Sequence, residues 1–123
     1  MEFNQYNTTV QQWIHTVLEN RETNADVVLE CCRDIIAYGR ETDDPKLMGF
    51  GFFYGGEIYY ELNDGAHFFH MMTEALTYLD RAEEWELVVR CYNFLGIASM
   101  SRGNPSLALD YYMNGLKDSD TYD

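Results

Sequence analysis

His67 and His70 lie three residues apart with Glu74 one helical turn further on, and these are the residues in the chain whose types and spacing best suit chemistry. On a helix that spacing puts both imidazoles on one face, where they can share a metal ion or, with the carboxylate, move a proton. No second ligand pair of matching pattern accompanies them, so exposed or hydrogen-bonded histidines are the preferred reading. A glycine cluster, Gly49-x-Gly51 followed by Gly55-Gly56, has the outline of a phosphate-cradling loop. It lacks the Gly-Lys-Ser/Thr ending and no strand precedes it, which favours helix packing instead. Cys31 and Cys32 are adjacent and cannot form the two-residue-spaced redox motif; both are expected in the core. The acidic pairs Asp43-Asp44 and Glu83-Glu84 fall in loops, where charge runs are solvated. Nothing places a nucleophile beside a base. The expectation is a chain that is not an enzyme by itself and carries no catalytic residue, cofactor or metal.

Composition narrows the remaining classes. The 123 residues make one domain's worth of chain, and 46% hydrophobic with 15% aromatic content argues against disorder. Net charge is −13, spread evenly: residues 1–62 carry 4 basic and 11 acidic side chains, the rest 4 and 10. Without a basic stripe, nucleic-acid binding has no electrostatic footprint, and an anionic membrane would repel this surface. An odd number of cysteines, two of them adjacent, is the usage of a reduced intracellular protein. The N-terminus has neither a basic region nor an apolar run of signal-peptide length, so a cytoplasmic location is expected.

The elements that would position these residues read as helices throughout. Tyr6, Val10, Trp13, Ile14, Val17 and Leu18 form a helical stripe starting near Asn7-Thr8-Thr9. Thr23-Asn24-Ala25-Asp26 resembles a capping box leading into Val28, Cys32, Ile35 and Ile36. Asp44-Pro45 and Asn104-Pro105 each pair an N-cap with a proline at the first helical position. The glycine-rich stretch between Met48 and Gly56 would suit a strand by composition, but flanking Leu47, Ile58, Tyr59 and Leu62 continue a helical stripe. Its glycines are then places where helices approach closely. Asn63-Asp64-Gly65 is the next turn, Ala66 to Asp80 a partner helix, and Trp85 to Ser101 the start of a third pair whose last helix ends near Lys117. The helix pairs cover about residues 4–39, 45–80 and 85–117.

A spacing of about forty residues relates the pairs. It aligns Leu116 with Leu76 and Ile36, Tyr112 with Met72 and Cys32, Ala108 with Phe68 and Val28, and Gly96 with Gly56 and Thr16. Within the last pair, Tyr92, Leu95-Gly96, Gly103, Ala108, Tyr112 and Gly115 resemble the tetratricopeptide repeat (TPR), with departures at Ser99 and Asp120. The resemblance implies an all-α, right-handed superhelix of three antiparallel TPR-like helix pairs in a single domain. Carried over position by position, it lines a partner-binding groove with Val10, Trp13, Val17 and Asn20, then Phe50, Phe53, Glu57 and Tyr60, then Arg90, Asn93, Ile97 and Met100. That set lacks the lysines and arginines of the family's carboxylate clamp, so a neutral or basic apolar peptide or protein partner is expected.

No sequence after Leu116 is suited to capping the last pair, which leaves Leu109, Tyr112, Met113 and Leu116 as a self-association surface of a possible homodimer. The same feature suggests the front piece of a longer protein. Acidic, Tyr-rich arrays of this period resemble N-terminal regions of bacterial signalling proteins, such as those preceding diguanylate cyclase (GGDEF) domains or found in MalT-like regulators. The resemblance implies a non-catalytic sensory or interaction module governing an output domain. A free-standing peptide-binding adaptor or chaperone is the alternative.

Overall fold

Helices that begin at residues 25, 45, 65, 85 and 105 give the chain a twenty-residue rhythm beneath the forty-residue one. In the computed structural model, which describes residues 1–122 and side chains as far as Lys117, six helices follow one another: α1 (Thr8–Asn20), α2 (Ala25–Glu41), α3 (Pro45–Glu61), α4 (Gly65–Arg81), α5 (Trp85–Ser101) and α6 (Pro105–Tyr122). The described residues include no strand, and each helix packs against its neighbours in the chain. The fold is all-α, a row of antiparallel helix pairs.

The rhythm comes from one turn used four times. After α2, α3, α4 and α5 the chain takes a single residue into the left-handed region, at Asp43 (φ 52°), Asn63 (57°), Glu83 (57°) and Gly103 (75°). The next amide then reaches back to the carbonyl five residues earlier: Asp44 to Gly39 at 2.8 Å, Asp64 to Tyr59 at 3.0 Å, Glu84 to Leu79 at 3.0 Å and Asn104 to Ser99 at 2.9 Å. This satisfies carbonyls that every helix end leaves open. The last turn residue then caps the following helix. Asp44, Asp64 and Asn104 accept from the amides of Leu47, His67 and Leu107; Glu84, one methylene longer than Asp, makes no such bond. Asn24, rather than Thr23, caps α2 by accepting from the Val27 amide at 3.2 Å. Helix α1 starts at Thr8 behind its cap Asn7, where the sequence places it, with Tyr6 ahead of the helix; α6 continues past the expected end near Lys117 to Tyr122.

Helix α3 is the axis of the packing. Every residue from Leu47 to Ile58 is buried, so it has no solvent face and its glycines mark approaches rather than flexibility. A Cβ placed on Gly49 would lie 2.6 Å from Leu79 Cδ2 of α4. One on Gly51 would lie 2.6 Å from Ile36 Cγ1 and 3.1 Å from the Cys32 carbonyl of α2. The strand-like composition is thus that of a helix gripped from both sides. Val28, Cys32 and Ile35 of α2 and Phe68, Met72, Ala75 and Leu79 of α4 fill the space around it.

Two substitutions test this architecture by urea unfolding. Gly51→Ala gains up to about 1 kcal/mol of helix propensity but overpacks against the Cys32 backbone, a penalty of roughly 1–3 kcal/mol, so net destabilisation is expected. Glu83→Gly relieves the left-handed strain and should stabilise by about 0.5–1 kcal/mol.

Candidate functional site

The face carried by the first helix of each pair, α1, α3 and α5, is where the sequence places a groove. Its centre is an ion triad. Glu57 of α3, only 7% exposed, receives Arg21 through Nε at 2.9 Å and Nη2 at 2.7 Å, and Arg90 of α5 through Nη2 at 3.5 Å. Each guanidinium also lies over an aromatic ring of α3, Arg21 over Tyr54 at 5.1 Å and Arg90 over Phe53 at 4.9 Å. Burial works against the Arg21 charge, but the hydrogen bonds and charge of Glu57 outweigh it and hold the guanidinium above its ordinary value. One carboxylate therefore fastens the first, second and third pairs together.

The aromatic floor expected beside it is not open. Phe50 and Phe53 are buried, as are Val10 and Val17. The leading segment, residues 1–6, supplies part of the cover: Phe3 meets Phe50 edge-on at 5.1 Å, with the Lys46 ammonium 5.0 Å from the Phe3 ring centre. The segment is pinned by the Tyr6 hydroxyl donating to Asp44 Oδ2 at 2.8 Å and by Lys46 Nζ donating to the Glu2 carbonyl. Burial, then the bond to Asp44 and its charge, push the Tyr6 phenol up. Phe53 is closed by Arg90 and by Phe94 at 6.0 Å. This corrects the groove drawn from the sequence: Val17, Phe50, Phe53 and Glu57 are interior residues. Trp13, Tyr60 and Arg90 are half-buried, and Asn93, Ile97 and Met100 are exposed. Sequence reasoning missed Phe3 because a lone aromatic ahead of the first helix has no periodicity to betray it, and Arg21 because it follows the last residue of α1 in a polar break.

Exposed apolar surface gathers at the other end. In the forty-residue columns, Ile36 is 7% exposed while its counterpart Leu116 is 69% exposed; Leu109 and Met113 are 58% and 59% exposed. Helix α3 covers Ile36 through Gly51, and no helix among the described residues follows α6 to do the same. Tyr112 differs from the other three: its ring is half-buried against Gly96, where a Cβ would lie 2.6 Å from Cε1. It belongs to the packing of α5 on α6 rather than to the free face. Ile97 and Met100 of α5 are exposed as well.

The histidines have local roles. His67 stacks on Tyr59 at 4.7 Å and its Nδ1 lies 2.7 Å from Asp64 Oδ2, while His70 stands edge-on to Phe52 at 6.4 Å. The His67 amide and then its ring hold the Asp64 carboxyl below its usual range. No group of three or more His, Cys, Asp or Glu among the described residues is placed to hold a metal ion. Cys32 and Cys91 are buried, and burial pushes both thiols up, away from the reactive thiolate. Among the described residues no helix is long and apolar enough to cross a membrane.

The triad makes a directional prediction. Glu57→Ala leaves two guanidiniums facing each other without a carboxylate and should cost about 2–3 kcal/mol in urea unfolding. Replacing all three members by Leu and Met should recover most of that loss. Comparison with known proteins finds no family model, no curated protein and no solved structure that matches the chain.

Proposed function

We propose that this chain is a non-catalytic protein-interaction module that associates with a second copy of itself through the uncovered face of its third helix pair. The observation that carries this reading is the contrast between equivalent positions: Ile36, closed by the next pair, against Leu116, open on α6 with Leu109 and Met113 of the same helix also exposed. Of the nine large apolar residues exposed among those described, six lie on α5 and α6: Ile97, Met100, Leu107, Leu109, Met113 and Leu116. A patch so confined marks a contact surface.

A second copy is the partner that makes this face self-complementary. Leucine and methionine on one surface pair with leucine and methionine on its twofold mate, and such an isologous contact closes on itself as a dimer. The net charge of −13 opposes the approach of two copies, so association should strengthen as salt shortens the range of repulsion. In the form that the TPR resemblance suggests, the pairs wind as a right-handed superhelix in the cytoplasm. Dimerisation would then set the activity of an attached output domain of a bacterial signalling protein, with a diguanylate cyclase as the expected kind. The alternative, an adaptor holding a peptide in the groove, retains Trp13, Tyr60, Asn93, Ile97 and Met100 as contacts but loses Phe50 and Phe53 to the interior.

Light scattering over a range of protein concentration and salt tests the proposal. The parent chain should show dimer that increases with concentration and with salt, and Leu116→Glu should remain monomeric. A parent that stays monomeric at high concentration and high salt would overturn self-association.

A further inference from the structure

A second feature stands apart from both the triad and the open end of the array. Where the turn between α3 and α4 meets the C-terminal end of α5, the second and third pairs leave a cleft of about 380 Å³. That volume falls within the range of small-ligand sites. Its wall is aromatic: Tyr60 and Phe68 lie 5.4 Å apart, and Phe68 and Phe69 5.0 Å apart. Its rims carry opposite charge. Glu61 stands at the end of α3, and Arg102 just beyond the end of α5 reaches over the Phe69 ring at 4.6 Å. A Cβ at Gly65 would approach Arg102 Nη2 to 3.0 Å, so the bare glycine leaves the guanidinium its place in the cleft.

Among the described residues, neither Glu61 nor Arg102 has an ion pair, whereas Asp64, also on the rim, is engaged by His67 and by the cap of α4. The Ser101 hydroxyl lines the same cleft. A simple anion would meet Glu61 and the field of an acidic chain, and a simple cation would meet Arg102. A zwitterion satisfies both rims at once. We infer that this cleft binds a zwitterionic aromatic α-amino acid, with its carboxylate on Arg102, its ammonium on Glu61 and its ring against Tyr60, Phe68 and Phe69. Such a ligand brings the matching chemistry: one end carries both charges yet is neutral overall, and the other is a flat apolar group that offsets against aromatic neighbours. Because it would touch both the second and the third pair, its binding would add a bridge across their junction and raise the stability of the folded chain by mass action.

This inference does not rest on self-association, and its test reads a different quantity. Calorimetric titration and thermal melting of the full chain with L-phenylalanine and L-tyrosine should show saturable binding and a rise in melting temperature. 3-Phenylpropionate lacks the ammonium, and phenethylamine lacks the carboxylate; each should bind about ten-fold or more weakly, as should L-phenylalanine to Arg102→Gln or Glu61→Gln. Both side chains are exposed, so circular dichroism should show the variants folded, and Arg33→Gln serves as a control for losing one positive charge elsewhere. Equal binding of 3-phenylpropionate would replace the zwitterion site with a plain carboxylate site. Undiminished binding to Arg102→Gln, or no saturable binding of either amino acid, would overturn the inference.

Discussion

Enclosure of α3 is the constraint on which the other helices depend. A helix buried from Leu47 to Ile58 meets a neighbour on each side, and at Gly49 and Gly51 there is no side chain to hold those neighbours off. Glycine is costly in a helix, roughly 0.5–1 kcal/mol per residue against alanine. Several within one helix are tolerable only where contact with α2 and α4 more than offsets the loss. The direction of each approach is legible in what an added Cβ would strike: α4 at Gly49, α2 at Gly51. Phe50 and Phe53, which lie between those positions, are then carried toward the face shared with α1 and α5. That orientation calls for the cover that Phe3, Arg90 and Phe94 provide.

Basic residues are scarce in this acidic chain, and their placement shows what they do. Five of the eight lie over aromatic rings: Arg21 on Tyr54, Lys46 on Phe3, Arg81 on Tyr78, Arg90 on Phe53 and Arg102 on Phe69. A guanidinium over a ring covers apolar surface with its stem while its charge faces outward or meets a carboxylate. Arg21 and Arg90 do both, which lets Glu57 sit nearly enclosed where an unpaired carboxylate would be strongly unfavourable. The cations thus act as fasteners between helices, and too few remain to form a surface for polyanions. Arg102 differs from Arg21 and Arg90 in having a ring beneath it but no carboxylate partner among the described residues.

Much of the fold could be read from the sequence, for local reasons. Asp44-Pro45 and Asn104-Pro105 announce helix starts through the chemistry of a single turn, and the structure places caps there. The glycine-rich helix was also legible, because its flanks kept helical periodicity even where its interior did not. The twenty-residue rhythm escaped because its signature is a conformation rather than a residue type: the left-handed position is Asp43, Asn63, Glu83 and Gly103 in turn. The site was read less well. Position-by-position transfer locates residues on a helix face but not what lies over that face. Neither a leading segment with one anchoring phenylalanine nor an arginine from an interhelical loop leaves a periodic trace. Glu57 was assigned to a groove wall by that transfer; in the structure it is buried and paired with two arginines brought from residues 21 and 90.

The two ends of the row of pairs are physically unlike, and this bears on how copies would meet. At the first pair, α1 contributes only Leu18 to the exposed large apolar residues, and the leading segment folds back over α3 and seats Phe3 there. At the third pair, Leu109, Met113 and Leu116 of α6 are exposed, as are Ile97 and Met100 of α5. Head-to-tail addition would set the apolar end of one chain against the more polar end of the next and leave most of that surface poorly matched. Pairing like end with like end matches apolar surface on both sides and leaves none to propagate. The repulsion between two chains of net charge −13 acts over the whole surface and weakens with salt, whereas burial of the leucines and methionines is local and does not depend on screening. The balance between those two terms, set by salt and by how closely the end faces fit, would make association adjustable rather than constitutive.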